Sequence, residues 1–186
     1  MGKPPPTLMS MNNPLERSIE WEGKFLRVVR IGRWELVERT NDVQGVVIVA
    51  ITDERNLLLT EQERLPVGKR VIELPAGLAG DLASNHGEQP VAAARRELLE
   101  ETGYDAGEMT WLASGPPSAG LSSEMVSFFR ASRLRRVGSG GGEGEERIEV
   151  HEVPLQQCAA WLRKRESEGL LVDPKVYAGL YLAGLT

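Results

Sequence analysis

The stretch GVVIVAIT, Gly45 to Thr52, is apolar at six successive positions from Val46 to Ile51. Successive side chains of a strand point to opposite faces, so an unbroken apolar strand must be covered on both sides. It is too short to cross a membrane as a helix, which takes about 20 apolar residues. A chain built around such a strand needs a layer on each side of a sheet, and the remaining sequence supplies candidates for both. PVAAARRELLEET, opened by Pro90 and closed by Gly103, reads as a helix. LQQCAAWLRKRESEG and DPKVYAGLYLAGL read as two more, the last with Asp173 and Pro174 in cap and first-turn positions.

The predicted strands are short and irregularly placed. SIEWEGKFLRVVRIGRWELVER carries two or three, turning at Gly23 and Gly32, and NLLLTEQERL follows GVVIVAIT after the turn DERN. RVIELPAG is a strand closed by Pro75 and Gly77, whereas LAGDLASNHGEQ reads as turn. MTWLASG and MVSFFRASRL flank the loop PPSAGLSSE, and RIEVHEVPL follows the glycine-rich, acidic loop VGSGGGEGEER. Strands and helices mix without regular alternation, which predicts the α+β class: an α/β/α sandwich with a mixed β-sheet and an N-terminal β-strand extension.

A length of 186 residues suits one domain. A net charge of −5 argues against a nucleic-acid-coating surface. Cys158 is the single cysteine, so neither an intramolecular disulfide nor an all-cysteine metal site can form. MGKPPPTLMSMNNP lacks the apolar core of a secretory signal and reads as a disordered lead-in, so a soluble cytoplasmic protein without membrane or nucleic-acid partners is expected.

The first of the predicted helices sets a puzzle. Glu97, Glu100 and Glu101 share one side, while Val91, Ala94 and Leu98 form an apolar stripe. Like charges at i,i+4 repel, and Glu100 and Glu101 sit in the last turn, where the macrodipole disfavours anions by about 0.3–1 kcal/mol each. A hard divalent cation reverses both terms.

Arg96-Glu97-Leu98-Leu99-Glu100-Glu101-Thr102-Gly103-Tyr104 resembles the second half of the Nudix box, and seven residues separate Glu88 from Arg96 as that box requires. Ten residues rather than five lie between Gly77 and Glu88, so LAGDLASNHG resembles a five-residue insertion. The resemblance implies Glu97 and Glu101 as metal ligands, Glu100 as a further ligand or catalytic partner, and the Ala76 carbonyl completing the set. Arg96 would orient the carboxylates, and the ion would be Mg2+, with Mn2+ as the alternative.

From about Trp21 to Leu185 the sequence is similar to the ADP-ribose pyrophosphatase and nucleoside-diphosphate-sugar hydrolase branch of that family. The resemblance implies substrate contacts from Arg64, Glu73 and Arg39, and a base-stacking role for Trp34 or Trp21; core tryptophans, and a strand glutamate paired to lysine, are the plain alternatives. It also implies Glu146 as the catalytic base, with Glu145 and Glu143 as substitutes, on a loop that closes over substrate or is merely solvated. Residues 1–15 would be lead-in, 16–44 strands exchanged within a homodimer that shares its active sites, and 45–186 the Nudix domain. The branch's proline in an SPG turn is replaced by Ala119 in Ser118-Ala119-Gly120, which widens the expected substrate range beyond ADP-ribose. Nucleotides other than sugars (dinucleotides, an RNA cap) and a non-catalytic sensor are the competing functions, with RASRLRR, Arg130 to Arg136, as the basic cluster an RNA would use.

Overall fold

In the computed structural model, which describes residues 15–41, 43–80, 87–142, 144 and 146–185, the apolar run becomes β4 (Gln44–Ala50), buried along nearly its whole length. β4 runs parallel to β9 (Val126–Arg136) and antiparallel to β7 (Ala76–Ala79), and β8 (Tyr104–Gly115) pairs with β9, giving a mixed sheet of order β7-β4-β9-β8. A second mixed sheet has the order β10-β5-β6-β11, from β5 (Asn56–Arg64), β6 (Lys69–Glu73), β10 (Glu149–Pro154) and the short β11 (Leu171–Val172). An Ile51–Leu57 bridge joins β4 to β5.

The two faces of β4 meet two separate cores. Val46, Ile48 and Ala50 pack with Ala93, Ala94 and Leu98 of α1 (Pro90–Thr102). Val47 and Val49 pack with Cys158 and Leu162 of α2 (Cys158–Ser167) and Val176 of α3 (Pro174–Leu182). Helices therefore cover both faces, as the apolar run requires. Fully burying a Val or Ile stabilises by about 1.5–3 kcal/mol, so a charge at Ile48 would disrupt the α1 layer and one at Val49 the layer of α2 and α3. Among the described residues no helix is long and apolar enough to cross a membrane.

The N-terminal extension forms an antiparallel sheet of β1 (Arg17–Glu22), β2 (Leu26–Ile31) and β3 (Trp34–Arg39). β3 is stitched to the loop after β8: Val37 N–H donates to the Leu121 carbonyl at 2.8 Å and Ser123 N–H to the Val37 carbonyl at 3.2 Å.

Local differences from the sequence reading have local causes. β7 falls where a turn is predicted, because Ala76-Gly77-Leu78-Ala79 carries no β-branched signature and is a strand only through pairing with β4. Two-residue β11 is too short to show a period. Val91 is 44% exposed and Ala93 buried instead, since the core reaches α1 only from Ala93 onward. Residues 1–14 of the expected lead-in, 81–86 of the expected insertion, and Glu143 and Glu145 lie outside the described residues.

Candidate active site

Glu97, Glu100 and Glu101 of α1 line a cleft of about 480 Å3 whose floor includes Val46 and Val47 of β4 and Ala76, Gly77 and Leu78 of β7. β7 seats two of them with its backbone. Leu78 N–H donates to Glu97 Oε1 at 3.3 Å, and Ala76 N–H to Glu101 Oε2 at 3.0 Å. Between these donors, any side chain at Gly77 would collide with the Glu97 carboxylate. Glycine there leaves the Glu97 carboxylate its seat against β7, and a side chain would displace it.

Arg96 ties the arrangement together. Its guanidinium donates to both oxygens of Glu88 (3.2 and 3.0 Å), to Glu97 (3.0 Å), to Glu100 (2.8 Å) and to the Leu78 carbonyl (3.1 Å). The Glu88 contact is a two-pronged fork, the geometry in which arginine is strongest. The hydrogen bond from Arg96 holds Glu88 below the usual carboxylate range.

The deeper pair fares differently. Burial pushes Glu101 up to about 8, aided by the charges of Glu97 and Glu146 and opposed by Ala76 N–H and Arg64. Burial likewise lifts Glu97 to about 7, with Arg96 opposing and Glu100 adding repulsion. The nearby cations thus do not neutralise these two carboxylates. Hard oxygen donors gathered in a cleft, short of positive charge, fit a divalent cation of the Mg2+ type.

Arg39, Arg64 and Glu146 also line the cleft, with Glu146 exposed at its mouth. Arg39, from β3, pairs with Glu124 through Nε (2.9 Å) and Nη2 (2.7 Å). Glu124 follows the Ser118-Ala119-Gly120 turn, whose Ser118 carbonyl accepts from Leu121 and Ser122 N–H at 3.0 Å. Arg39 and Glu124 also border an adjoining cavity of about 700 Å3 lined by Arg27, Glu38 and Gln44.

Glu73 is not on the cleft wall. It is 7% exposed and accepts from Arg64 Nε at 2.8 Å, so its partner is an arginine rather than a lysine. Trp34 and Trp21 are 55% and 58% exposed on the N-terminal sheet; neither is a core residue, and neither lines the cleft within one chain.

The sequence reading missed Gln62, Glu124 and Lys175, all on the cleft wall. Gln62 shares a face of β5 with Arg64 at spacing two, a signal available in the sequence. Lys175 stands in the first turn of α3, where Asp173 caps by accepting its N–H at 2.8 Å and also pairs with its ammonium. Only the packing of α3 on the sheet brings that cation to the carboxylates of α1.

A second acidic group lies on another part of the molecule. Glu61 and Glu149 with His151 form the close three-donor cluster among the described residues. Arg70 already occupies it, pairing with Glu61 and, at 3.4 Å, with Glu149, while His151 Nε2 sits 2.9 Å from Glu61. Burial pushes Glu61 up, but the hydrogen bonds from Arg70 and His151 outweigh it and hold the group below its ordinary value. Three of the four arginines in the basic run are paired as well: Arg133 with Glu108, Arg135 with Asp105 and Arg136 with Glu152.

Comparison with known proteins bears on this cleft. The NUDIX domain matches residues 42–170. The ADP-ribose pyrophosphatase of Bacillus subtilis (strain 168) is 34% identical over 123 residues, 66% of this chain and 64% of that protein. The methanol dehydrogenase activator of Bacillus methanolicus is 32% identical over 122 residues, 65% and 63% of the two chains. The match thus spans less than two thirds of either relative. The GDP-mannose pyrophosphatase of Escherichia coli (strain K12) is 30% identical over 153 residues, 78% of this chain and 74% of that one. A crystal structure of an ADP compounds hydrolase superposes with a TM-score of 0.72 at 20% identity over 95% of both chains, a likeness of fold. The domain match takes in β4 to α2 and the whole carboxylate helix, and the chain belongs to the Nudix family.

Proposed function

We propose that the protein hydrolyses the diphosphate bond of ADP-ribose or a related nucleoside diphosphate sugar, releasing a nucleoside monophosphate and a sugar phosphate. The observation that carries this reading is the convergence, in one cleft, of five carboxylates (Glu97, Glu100, Glu101, Glu124, Glu146) and four cations (Arg39, Arg64, Arg96, Lys175). Carboxylates alone would repel a diphosphate, and cations alone would bind it without activating water. The names of the B. subtilis and E. coli relatives point to the same substrate class.

In this reading Glu97 and Glu101 hold Mg2+ or Mn2+, with the Ala76 carbonyl and Glu100 as further donors. A bound divalent ion neutralises the diphosphate and acidifies the attacking water. Arg96 keeps Glu97 and Glu100 in register through its contacts to Glu88 and Leu78. Glu146 takes the proton of the water as its oxygen bonds to phosphorus and the bridging oxygen departs with the other phosphate. Arg64, positioned by Glu73, and Arg39, positioned by Glu124, contact the diphosphate and sugar; the cavity beyond the Arg39–Glu124 pair accepts the remaining end of the substrate. The exposed Trp34 and Trp21 suit a homodimer in which strands of residues 16–44 reach the partner's site and stack on the base. A single cysteine and a nucleotide-sugar substrate suit the cytoplasm.

A panel of ADP-ribose, GDP-mannose, UDP-glucose, dinucleotides and nucleoside triphosphates, assayed with and without Mg2+, tests the reading. Metal-dependent release of a monophosphate and a sugar phosphate is expected. Turnover confined to triphosphates or dinucleotides, or none at all, would overturn it.

A further inference from the structure

The glycine-rich loop is docked on the end of α1. Gly141 N–H donates to the Glu101 carbonyl at 2.8 Å, and Gly142 N–H to the Glu100 carbonyl at 3.1 Å. These belong to the last-turn carbonyls that a helix leaves unpaired. Upstream, Val137 and Gly138 N–H both reach the Gly103 carbonyl, at 2.8 and 3.0 Å. Downstream, Ile148 N–H returns to the Gly141 carbonyl at 3.2 Å, and the buried Ile148 side chain anchors that end.

The contact is backbone against backbone. A Cβ on Gly140 would lie 2.6 Å from the Glu101 carbonyl oxygen and 2.7 Å from Gly103 N, neither of which can swing aside. Gly140, Gly141 and Gly142 have φ of +66°, +109° and +85°, a region that side-chain-bearing residues rarely enter. Glu146 then folds back over this run: a Cβ on Gly142 would lie 2.6 Å from Glu146 Oε2. The loop therefore grips the main chain of Glu100 and Glu101, whose side chains share the cleft with Glu146.

We propose that Gly140, Gly141 and Gly142 are positioning residues, a backbone strap that fixes Glu146 relative to the carboxylates of α1. The proposal rests on the reading of Glu146 as the proton acceptor. It gives the run a function beyond that of the solvated loop read from its composition. The strap is hydrogen-bonded to the end of α1, and the Glu146 carboxylate lies against Gly142, so the strap links Glu146 to the helix of Glu97 and Glu101.

The test compares Gly140→Ala, Glu146→Gln and their double variant with ADP-ribose and Mg2+. Gly140→Ala is expected to lower kcat on the order of 10²-fold, the loss that follows a misplacement of about 1 Å. KM should stay within about threefold, because substrate contacts are untouched. Gly144→Asn is the control: Gly144 has φ +63° in open space, a conformation asparagine tolerates, and kcat should hold. The double variant should be no slower than Glu146→Gln alone. Multiplied losses, or full activity in Gly140→Ala, would overturn the strap, whereas full activity in Glu146→Gln defeats the assignment of Glu146 and the strap's role through it. Should Gly140→Ala fail to fold, amide exchange of the unaltered protein decides: Gly141 and Gly142 amides as protected as those of α1 support docking, and free exchange at both refutes it.

Discussion

Glu101 and Glu61 each expose only 5% of their surface, yet the Glu101 carboxyl lies far deeper among protein atoms, and the two are driven in opposite directions. Glu61 has Arg70 and His151 against its oxygens, and the compensation is complete enough to hold it ionised. Glu101 has one backbone N–H and two neighbouring carboxylates, and it is pushed up to about 8. Burial of an acid is therefore no signature of a metal site on its own. What separates the clusters is the depth of the carboxyl together with how much of the negative charge the protein itself cancels. At Glu61 it cancels enough, and the group holds β5 to β6 and β10; at Glu97 and Glu101 it leaves a deficit that a divalent cation would fill.

Replacing one acid in each cluster breaks the comparison most directly. Glu101→Gln keeps the acceptor for Ala76 N–H and removes a charge, so kcat for ADP-ribose is expected to fall on the order of 10²–10³-fold. The metal-free variant should melt no lower than the parent, because burial already favours the neutral form of that carboxyl and glutamine is neutral throughout. Glu61→Gln should show the reverse pattern, with activity unchanged and stability lowered by about 1–3 kcal/mol in urea titrations, since Arg70 loses its main partner. Comparable activity loss in both variants would erase the distinction between the two sites.

The difference was only half legible in the sequence. The carboxylate helix announced itself because caps, apolar period and charge all fall within Pro90 to Gly103, a span that local rules cover. The doubly buried strand was legible for the same reason. Arg70 reaching Glu61 depends on the β5–β6 register, and Lys175 reaching the cleft depends on how α3 packs. β7 escaped notice because pairing with β4, rather than side-chain preference, makes it a strand. The glycine run reads as flexible by composition, although its N–H groups have fixed partners at the end of α1.

Arg96 sharpens the comparison, since it is the cation that α1 does have. Its fork spans Glu88 while reaching Glu97, Glu100 and the Leu78 carbonyl, a set that a lysine ammonium cannot cover. Arg96→Lys should preserve charge and fold but lower kcat/KM by about 10–100-fold, the scale of lost support behind a metal ligand. Full activity with lysine would mean that charge alone suffices and that the fork is incidental. Lys175→Gln, in α3, is the milder counterpart. Its ammonium is partly exposed and already paired with Asp173, so the expected effect is a rise in KM of about fivefold at constant kcat.

Acidity provides the gentlest test, because the two clusters contribute with opposite sign. Glu97 and Glu101 have folded-state values raised from 4.5 to about 7 and about 8, so the folded, metal-free protein binds more protons than the unfolded chain across that interval. Where the folded state holds the extra protons, stability falls as pH rises. Glu61, held below 4.5, contributes stability that is present above its unfolded value and is lost only as pH falls through its folded one. Between pH 5 and 8 the second contribution is therefore nearly flat and the first declines. Thermal melts in chelator should drop steadily over that range, and saturating Mg2+ should flatten the profile by binding only the ionised, folded form. In Glu101→Gln the slope in chelator should shrink, while in Glu61→Gln it should persist from a lower starting point. A slope unchanged by Glu101→Gln would place the excess protons elsewhere, and the charge deficit at α1 would no longer account for its carboxylates.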